Sequence, residues 1–393
     1  MAVATLRAAC ETTSMSTNQT SPRASAGAPR RVLIERRLRR YSGSMQQRVR
    51  AVAERHPRLA DLALSFPPLL FALALPRPGE DPEPAIIRAI EGRPLAEVAA
   101  AAGVPRWLRR LPVDALTGPL PVLPTGELFG RRIVNHLPRS PKLTTAWLAA
   151  VSHAAHWGNE SFAIWIAREV LCDIKAVTTD KLRLLGLWAW FSHHPETDGY
   201  RLMATPWRRE LGFRAARGAA RAWFERVRLE LNLGDRRVAD LWLRPGPFDG
   251  YEFVALDSAA RIAEEAAAME NCLRGYGGSV AYGLSRLWSI RRDGRRIASL
   301  QIRCGRGQRP VYIGELTAAR NERAPFEIWL LAARWLHQHD LAAIRPEPPE
   351  LQDVDRVEAA RWRRLWRPYW VAKRRIPEWL PLKLSWQVVN GLR

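Results

Sequence analysis

The sequence predicts an α+β protein that is predominantly α-helical, with an N-terminal helical region followed by a small β-α-β-β-β-α module. Apolar residues recur with helical spacing from Arg31 to about Asp235. Near residue 244 the pattern changes to short alternating runs, two of which are joined by the hairpin signal Asp293-Gly294. With 393 residues, of which 47% are hydrophobic, the chain is long enough for two or three domains with a buried core.

The chain up to residue 243 is expected to be all-helical after a disordered basic arm at 1–30, which is small, polar and without apolar periodicity. The stretch Leu62–Leu75 is apolar but too short to cross a bilayer, and it contains Pro67 and Pro68. The segments with helical spacing are Val32–Arg40, Met45–His56, Pro84–Glu91, Pro94–Ala102, Thr125–His136, Lys142–Trp157, Glu160–Cys172, Thr179–His193 and Pro206–Asn232.

Residues 92–111 have the A-x3-G-V turn spacing of a helix-turn-helix, with Arg106, Arg109 and Arg110 on the second helix. Pro112 ends that second helix after about two turns, which is short for a helix that reads bases in the major groove. We therefore favour a plain αα-hairpin here over a DNA-reading motif.

The module at 244–345 is expected to begin with a loop at 244–250 and to have one face of its sheet covered. Strand alternation places Glu315 on the same face as Val311 and Ile313. The predicted elements are the strand Tyr251–Leu256, a helix at 258–271, the strands Leu287–Arg292, Arg295–Cys304 and Val311–Leu316, and a helix at 325–339.

The first helix of this module has its apolar residues on one face, among them Ile262 and Ala266. The helical phase points Asn271 away from that face. The glycines that follow, Gly275, Gly277 and Gly278, are expected to stop the helix in a turn.

Four cysteines at irregular spacing form neither a disulfide framework nor a zinc motif, so we expect no cofactor and no metal. His153 and His156 lie one helical turn apart, but zinc usually needs a second pair of ligands at matched spacing. We interpret them as helix-surface or core residues. No secretory signal is present, and a cytoplasmic location is expected.

The net charge of +22 is concentrated at the two ends of the chain. Residues 1–50 and residues 361–393 each carry a net +8, and 56 of the 61 basic residues are arginine. Because arginine pairs bidentately with phosphate, nucleic acid is the expected partner, with an anionic membrane surface second. The alternative is that arginine-rich ends only aid solubility.

The basic C-terminal segment, 346–393, interleaves aromatic and basic residues. Trp362, Trp366 and Trp370 recur at every fourth position, as in a helix that docks an aromatic stripe on the protein body. The same residue types can stack on bases and contact phosphates of a single strand. We favour docking, and phosphate contacts fit both interpretations. The candidate nucleic-acid contacts are Arg361, Arg363, Arg364, Arg367, Lys373, Arg374, Arg375, Trp366 and Trp370.

One stretch of the module carries a family signature. Met269–Leu273 has the pattern M-x-N-C-L, Tyr276 lies four residues after the cysteine, and the hairpin and the tripeptide A-S-L precede R-N-x-x-x-P at Arg320–Pro325. These motifs resemble the PcfJ-like family, which is named from a conjugative plasmid. The resemblance covers about 250–340. It implies a shared fold and a bacterial mobile-element context but no reaction, because the family has no established activity.

The same stretch supplies the candidate site residues. Cys272 and Glu315 are the catalytic candidates, and Asn271, Tyr276 and Asn321 form a ligand-binding or structural polar cluster. A thiolate at a helix C-terminus is disfavoured by the helix dipole, and no histidine lies between 195 and 336. We therefore interpret Cys272 as a packing residue and the cluster as a hydrogen-bonded scaffold.

The sequence thus favours a non-catalytic, nucleic-acid-associated accessory factor of a mobile element or DNA-transfer system, with DNA and RNA both open. One alternative is an enzyme or small-ligand module centred on Cys272, Glu315 and Asn321. A second alternative is a protein–protein adaptor whose arginine-rich ends are incidental.

Overall fold

The computed structural model of the protein describes residues 29–138, 140–172, 177–305, 311–344, 346 and 351–374. These ranges contain sixteen α-helices and one five-stranded antiparallel sheet, which confirms the prediction of a predominantly helical α+β protein. Residues 1–28 of the expected basic arm and Arg375 lie outside them. The chain forms two compact units, one of residues 1–190 and 207–214, the other of residues 191–206 and 215–393. The domain limits expected at 30, 243 and 345 stay predictions.

The first unit is helical throughout the part that the structure describes. None of the described helices is both long and apolar enough to cross a membrane. The helices up to residue 192 are α1 (Arg30–Leu38), α2 (Gly43–Glu54), α3 (Pro57–Ser65), α4 (Pro67–Ala74), α5 (Glu83–Glu91), α6 (Leu95–Ala101), α7 (Glu127–Ile133), α8 (Pro141–Trp157), α9 (Glu160–Cys172) and α10 (Thr179–Ser192).

Two of these helices, α3 and α4, begin at prolines and lie in a stretch where we predicted no helix. Pro57 and Pro67 each occupy the first helical turn. Proline is favourable there because its fixed φ suits the helix and its missing N–H would have no partner. Seven of the eight residues of α4 are buried, so the helix lacks the one-sided apolar pattern that would have revealed it.

The segment after α6 forms neither a helix-turn-helix nor the αα-hairpin that we favoured. Arg106–Arg110 is a five-residue 3-10 helix, bounded by Pro105 and by Leu111-Pro112. Pro112 restricts Leu111 to extended backbone (ψ 137°), so the helix that begins after Pro105 ends within five residues. The 3-10 helix buries Trp107 and Leu108 and leaves its three arginines exposed.

The second unit contains the sheet, whose strands are in the sequential order β1-β2-β3-β4-β5, all antiparallel. β1 forms within the stretch expected to be a loop, and β2 to β5 occupy the predicted positions within two residues. The elements are α11 (Asp198–Arg201), α12 (Phe213–Asn232), β1 (Gly246–Phe248), β2 (Tyr251–Ala255), α13 (Ala259–Ala268), α14 (Gly277–Ala281), β3 (Ser285–Arg292), β4 (Arg295–Arg303), β5 (Tyr312–Thr317), α15 (Phe326–His337) and α16 (Leu351–Lys373).

Helices cover both faces of this sheet, so the expectation of a single covered face is wrong. On one face, Phe253, Trp288 and Leu300 pack with residues of α15, including Trp335. On the other face, Leu287 of β3 belongs to a cluster whose remaining members are Leu229, Leu233, Leu256, Ala259, Ile262, Ala266, Leu273 and Val280. The candidate site lies on this second side.

The glycines expected to form a turn instead belong to two short helices, a 3-10 helix at Leu273–Tyr276 and α14. Gly277 has an ordinary helical φ of −51°. A Cβ at this position would lie 2.9 Å from Cδ1 of Leu229. Glycine therefore allows close packing against Leu229 of α12 here and does not serve to reverse the chain.

Candidate functional site

The chain reverses at the end of α13 and brings the candidate residues to the sheet. Ser258 caps α13 by accepting a hydrogen bond from the backbone N–H of Arg261 (3.4 Å). The helix ends at Ala268, and Glu270 then has a φ of +50°. Because the helix ends three residues earlier than expected, Asn271 is buried, contrary to the prediction that it points away from the core.

Two asparagines tie this reversal to the sheet. The side chain of Asn271 donates to Ser299 Oγ on β4 (3.0 Å) and accepts from the backbone N–H of Leu273 (3.2 Å). Asn321, just beyond β5, accepts from the backbone N–H of Cys272 (3.0 Å). Both side chains form hydrogen bonds with backbone or hydroxyl groups next to the chain reversal, so their role is to stabilise its conformation.

Glu315 reaches the same side of the sheet because β5 contains a bulge. Gln301 pairs with Glu315, but Ile302 pairs with Ile313, which leaves Gly314 as the extra residue. Ile313 consequently packs on the α15 side, while Glu315 faces Tyr276. The prediction that both residues share a face is therefore wrong. A Cβ at position 314 would lie 2.3 Å from Cδ of Arg303, so this bulge needs glycine.

The candidate residues converge on one small polar cavity. The Tyr276 hydroxyl donates a hydrogen bond to Glu315 Oε2. The free space is about 10 Å³, and the lining residues are Asn271, Cys272, Leu273, Tyr276, Ser299, Gln301, Glu315, Thr317 and Asn321. This is room for about one water-sized group. All five residues singled out from the sequence are thus brought together.

The protonation of the cavity argues against a cysteine nucleophile. Burial, followed by the negative charge of Glu315, raises the pKa of the Cys272 thiol. Burial and the hydrogen bond to Glu315 likewise raise the pKa of Tyr276. Both groups are therefore neutral donors near pH 7. Cys272 is more exposed as a residue than the half-buried packing residue that we expected, but its thiol is partly desolvated at the cavity, so its chemistry is that of an unactivated thiol.

Two further polar residues of this region, Glu265 and Gln301, are not among the candidates predicted from the sequence. Glu265 is fully buried on α13, where its Oε2 lies 2.8 Å from Nε of Arg296. Gln301 is 7% exposed, and its side-chain amide makes no hydrogen bond with a residue that the structure describes. A usable signal existed, because Ser299 and Gln301 alternate with the apolar residues of β4 and so mark a second, polar face.

The aromatic residues of α16 are packed into the second unit. Trp362, Trp366 and Tyr369 are all 0% exposed. The Trp366 ring lies 5.4 Å from the ring of Phe191 and 6.0 Å from that of Trp223. The docking interpretation therefore describes α16, and the ring of Trp366 is not open to a base.

The basic residues of α16 lie on its other side. Arg363, Arg364 and Arg367 are exposed, and so is Arg374 just after the helix. Arg361 and Lys373 are half-buried, as is Trp370. Arg361 lies against Gly234 and donates to the Leu231 carbonyl (3.5 Å). Burial lowers the pKa of Lys373 to about 8.

Within the described ranges, no three His, Cys, Asp or Glu side chains are grouped closely enough to hold a metal ion. Comparisons of the chain with models of known protein families, with curated proteins and with solved structures found no match, so the resemblance to the PcfJ-like family stays a prediction.

Proposed function

We propose that the protein is a non-catalytic, nucleic-acid-associated accessory factor and that the arginine side of α16 contacts its DNA or RNA. The observation that carries the proposal is the division of this helix into two sides. The side chains on its aromatic side are buried, and this packing fixes the position of the helix. Its arginine side is left in solvent on a rigid support, as a phosphate-binding surface requires.

The charges on this surface are largely uncompensated. Arg364 has a distant ion pair with Asp198 (3.7 Å). Among the residues whose side chains the structure describes, which leaves out 351–359 of the same helix, no carboxylate lies within ion-pair distance of Arg363, Arg367 or Arg374. Each phosphate that such an arginine neutralises releases condensed counterions, which favours binding at low salt. Because the contact is to the backbone, we expect little dependence on base sequence.

The biological setting of the proposal rests on the PcfJ-like resemblance alone. That resemblance suggests a bacterial mobile element or DNA-transfer system and a cytoplasmic location. The cavity at Cys272 supports the non-catalytic part, because its free space is about that of one water and its thiol is not activated.

The test is binding of the full-length protein to single- and double-stranded DNA and RNA across a salt series. We expect log K to fall linearly with log salt. The double substitution Arg363→Gln with Arg367→Gln should weaken binding at least tenfold and reduce the slope by about 0.7–0.9 for each lost contact. The matched control is Arg292→Gln with Arg295→Gln at the exposed β3–β4 hairpin of the same unit. No binding at low salt, or equal losses in the two double variants, would contradict the proposal.

A site for a ligand of about the size of one water is a second candidate function of the polar cavity, favoured by the side chain of Gln301, which lines the cavity and has no hydrogen bond to a residue whose side chain the structure describes. Native mass spectrometry of the purified protein tests it. A bound small molecule that is present in the native protein and lost in Glu315→Gln would support the site. Identical masses after correction for the substitution would leave the cluster as a scaffold.

A further inference from the structure

The 92–111 segment, which forms no helix-turn-helix, borders an open groove in the first unit. α6, the 3-10 helix Arg106–Arg110 and the start of α7 line a space of about 500 Å³. Pockets for molecules of nucleotide or drug size fall in this range of volumes. Every residue that lines the groove belongs to the first unit and to the described ranges.

The rim of this groove is basic. Arg106, Arg109 and Arg110 are exposed, and no carboxylate of the described residues lies within ion-pair distance of them. The Nε of Arg109 donates to the Ser65 carbonyl (2.6 Å), which orients its guanidinium and leaves the terminal nitrogens available. A 3-10 helix has three residues per turn, so Arg106 and Arg109 lie one above the other on the same side.

The remaining charges of the groove do not cancel this rim. Glu127 is the single carboxylate that lines it, and Arg131 already pairs with Glu127 at 2.7 Å. That hydrogen bond, with a further contribution from the charge of Arg106, lowers the pKa of Glu127. Counting all lining residues, four arginines face one glutamate.

The floor of the groove is apolar and suits part of a nucleotide other than the phosphate. Leu95 is 37% exposed, and it lies beside Ala96 and the largely buried Trp107. Grooves that bind a single strand contact its backbone with basic side chains. Here the apolar floor takes the place of a stacking aromatic ring, because Trp107 is only 7% exposed. An intact duplex would not present an unpaired base, and the short 3-10 helix is not a major-groove reader.

We infer that this groove is a second nucleic-acid contact of the protein, specific for a single-stranded segment. The inference rests on the proposed function, which assigns nucleic acid as the partner. Phosphates pair with Arg106, Arg109 and Arg110 on the rim, while a sugar or base lies on the floor at Leu95 and Ala96. An acidic peptide is the competing occupant and is an outcome of the test.

The first measurement compares two double variants. The groove variant carries Arg106→Gln and Arg110→Gln, and the control variant carries Arg36→Gln and Arg37→Gln. The control arginines are exposed on α1 and lie outside the groove. Fluorescence anisotropy with a labelled single-stranded oligonucleotide is recorded across a salt series. We expect the groove variant to bind at least tenfold more weakly, with a log–log salt slope reduced by about 1.4 for two single-strand contacts. The control should stay within about threefold of the native protein.

The second measurement places a charge on the floor. Ala96→Glu puts a carboxylate in the groove, whereas Ala100→Glu puts the same charge one turn along the same helix, at an exposed position that does not line it. Both variants should retain the native circular dichroism spectrum. We expect Ala96→Glu to weaken single-strand binding at least fivefold more than Ala100→Glu does, because only the first repels phosphate inside the groove.

The outcomes separate the two proposals. If the native protein binds no nucleic acid at low salt, both proposals fail. If it binds and the α16 double variant weakens binding, but groove and control variants behave alike, only the groove inference is overturned. If a duplex binds as tightly as a single strand and loses as much affinity in the groove variants, the single-strand assignment is overturned. Poly-glutamate that competes as well as the oligonucleotide for the groove overturns the nucleic-acid assignment.

Discussion

Removal of the Trp366 side chain separates docking of α16 from base stacking. The residue is fully buried against Phe191 and Trp223. A tryptophan buries about 150–250 Å², which at about 25 cal/mol per Å² corresponds to about 4–6 kcal/mol. Large-to-small substitutions of buried aromatics cost about 3–5 kcal/mol. We therefore expect Trp366→Ala to lower the free energy of unfolding of the second unit by about 4 kcal/mol.

The assay is urea or thermal unfolding followed by circular dichroism, with Trp370→Ala as the matched control. Trp370 lies one turn further along α16 and is half-buried, so its removal should cost about 1–2 kcal/mol. At about 2–4 °C per kcal/mol, Trp366→Ala should lower Tm by about 8–16 °C. A loss below about 1 kcal/mol, or one equal to that of the control, would refute docking. Normal stability with lost single-strand binding would point to stacking instead.

Three further predictions concern single groups. Glu265→Gln should cost about 2 kcal/mol in unfolding experiments, because the neutral amide loses the charge-assisted contacts with Arg291 and Arg296, although Arg296 keeps its ion pair with Glu264; a loss below about 0.5 kcal/mol would contradict this. Glu315→Gln should lower the pKa of Cys272 and increase the rate of its alkylation at pH 8 severalfold. The rate is measured by peptide mass spectrometry with Cys304 as the internal reference, and an unchanged rate would show that the charge of Glu315 does not raise the pKa of Cys272. The hydrogen bond from Arg50 lowers the pKa of Glu35 from 4.5 to about 2, so its stabilising contribution is complete above about pH 4.5 and is lost as the pH falls towards 2. The Tm difference between the native protein and Glu35→Gln should therefore shrink over that window, and a difference that is constant with pH would argue against the ion pair.

The sheet module shows what the sequence could predict. The hairpin at Asp293-Gly294 forms as expected, with φ values of 49° and 74° at the two turn residues. Strand alternation placed β2 to β5 within two residues of their observed ends, most clearly in β4, where Ala298, Leu300 and Ile302 share an apolar face. The same reasoning failed at Glu315, because Gly314 is an extra residue in β5 and moves the residues after it to the opposite faces of the sheet. An alternating sequence pattern does not reveal such an insertion.

The residues of the candidate site could be predicted from the sequence, but their arrangement in space could not. Asn271, Tyr276 and Asn321 were identified from a motif, and their convergence depends on the early end of α13 at Ala268. No strong stop signal precedes that point, and the positive φ of Glu270 is a conformation that a non-glycine residue adopts only when tertiary contacts hold it. The alternation of β4 marks Gln301 as part of a polar face, but its burial could not be predicted, because it requires a helix on a face that the sequence suggested was open.

The packing of α16 also affects how the C-terminal residues can be studied. A truncation that removed 361–393 would delete Trp362, Trp366 and Tyr369 together with the arginines, and it would uncover the rings of Phe191 and Trp223. Newly exposed aromatic surface of this kind promotes aggregation. A shortened protein that precipitates or loses a cellular role would therefore report a damaged fold and not a missing electrostatic tail. Charge-neutralising substitutions in the full-length chain avoid this confusion.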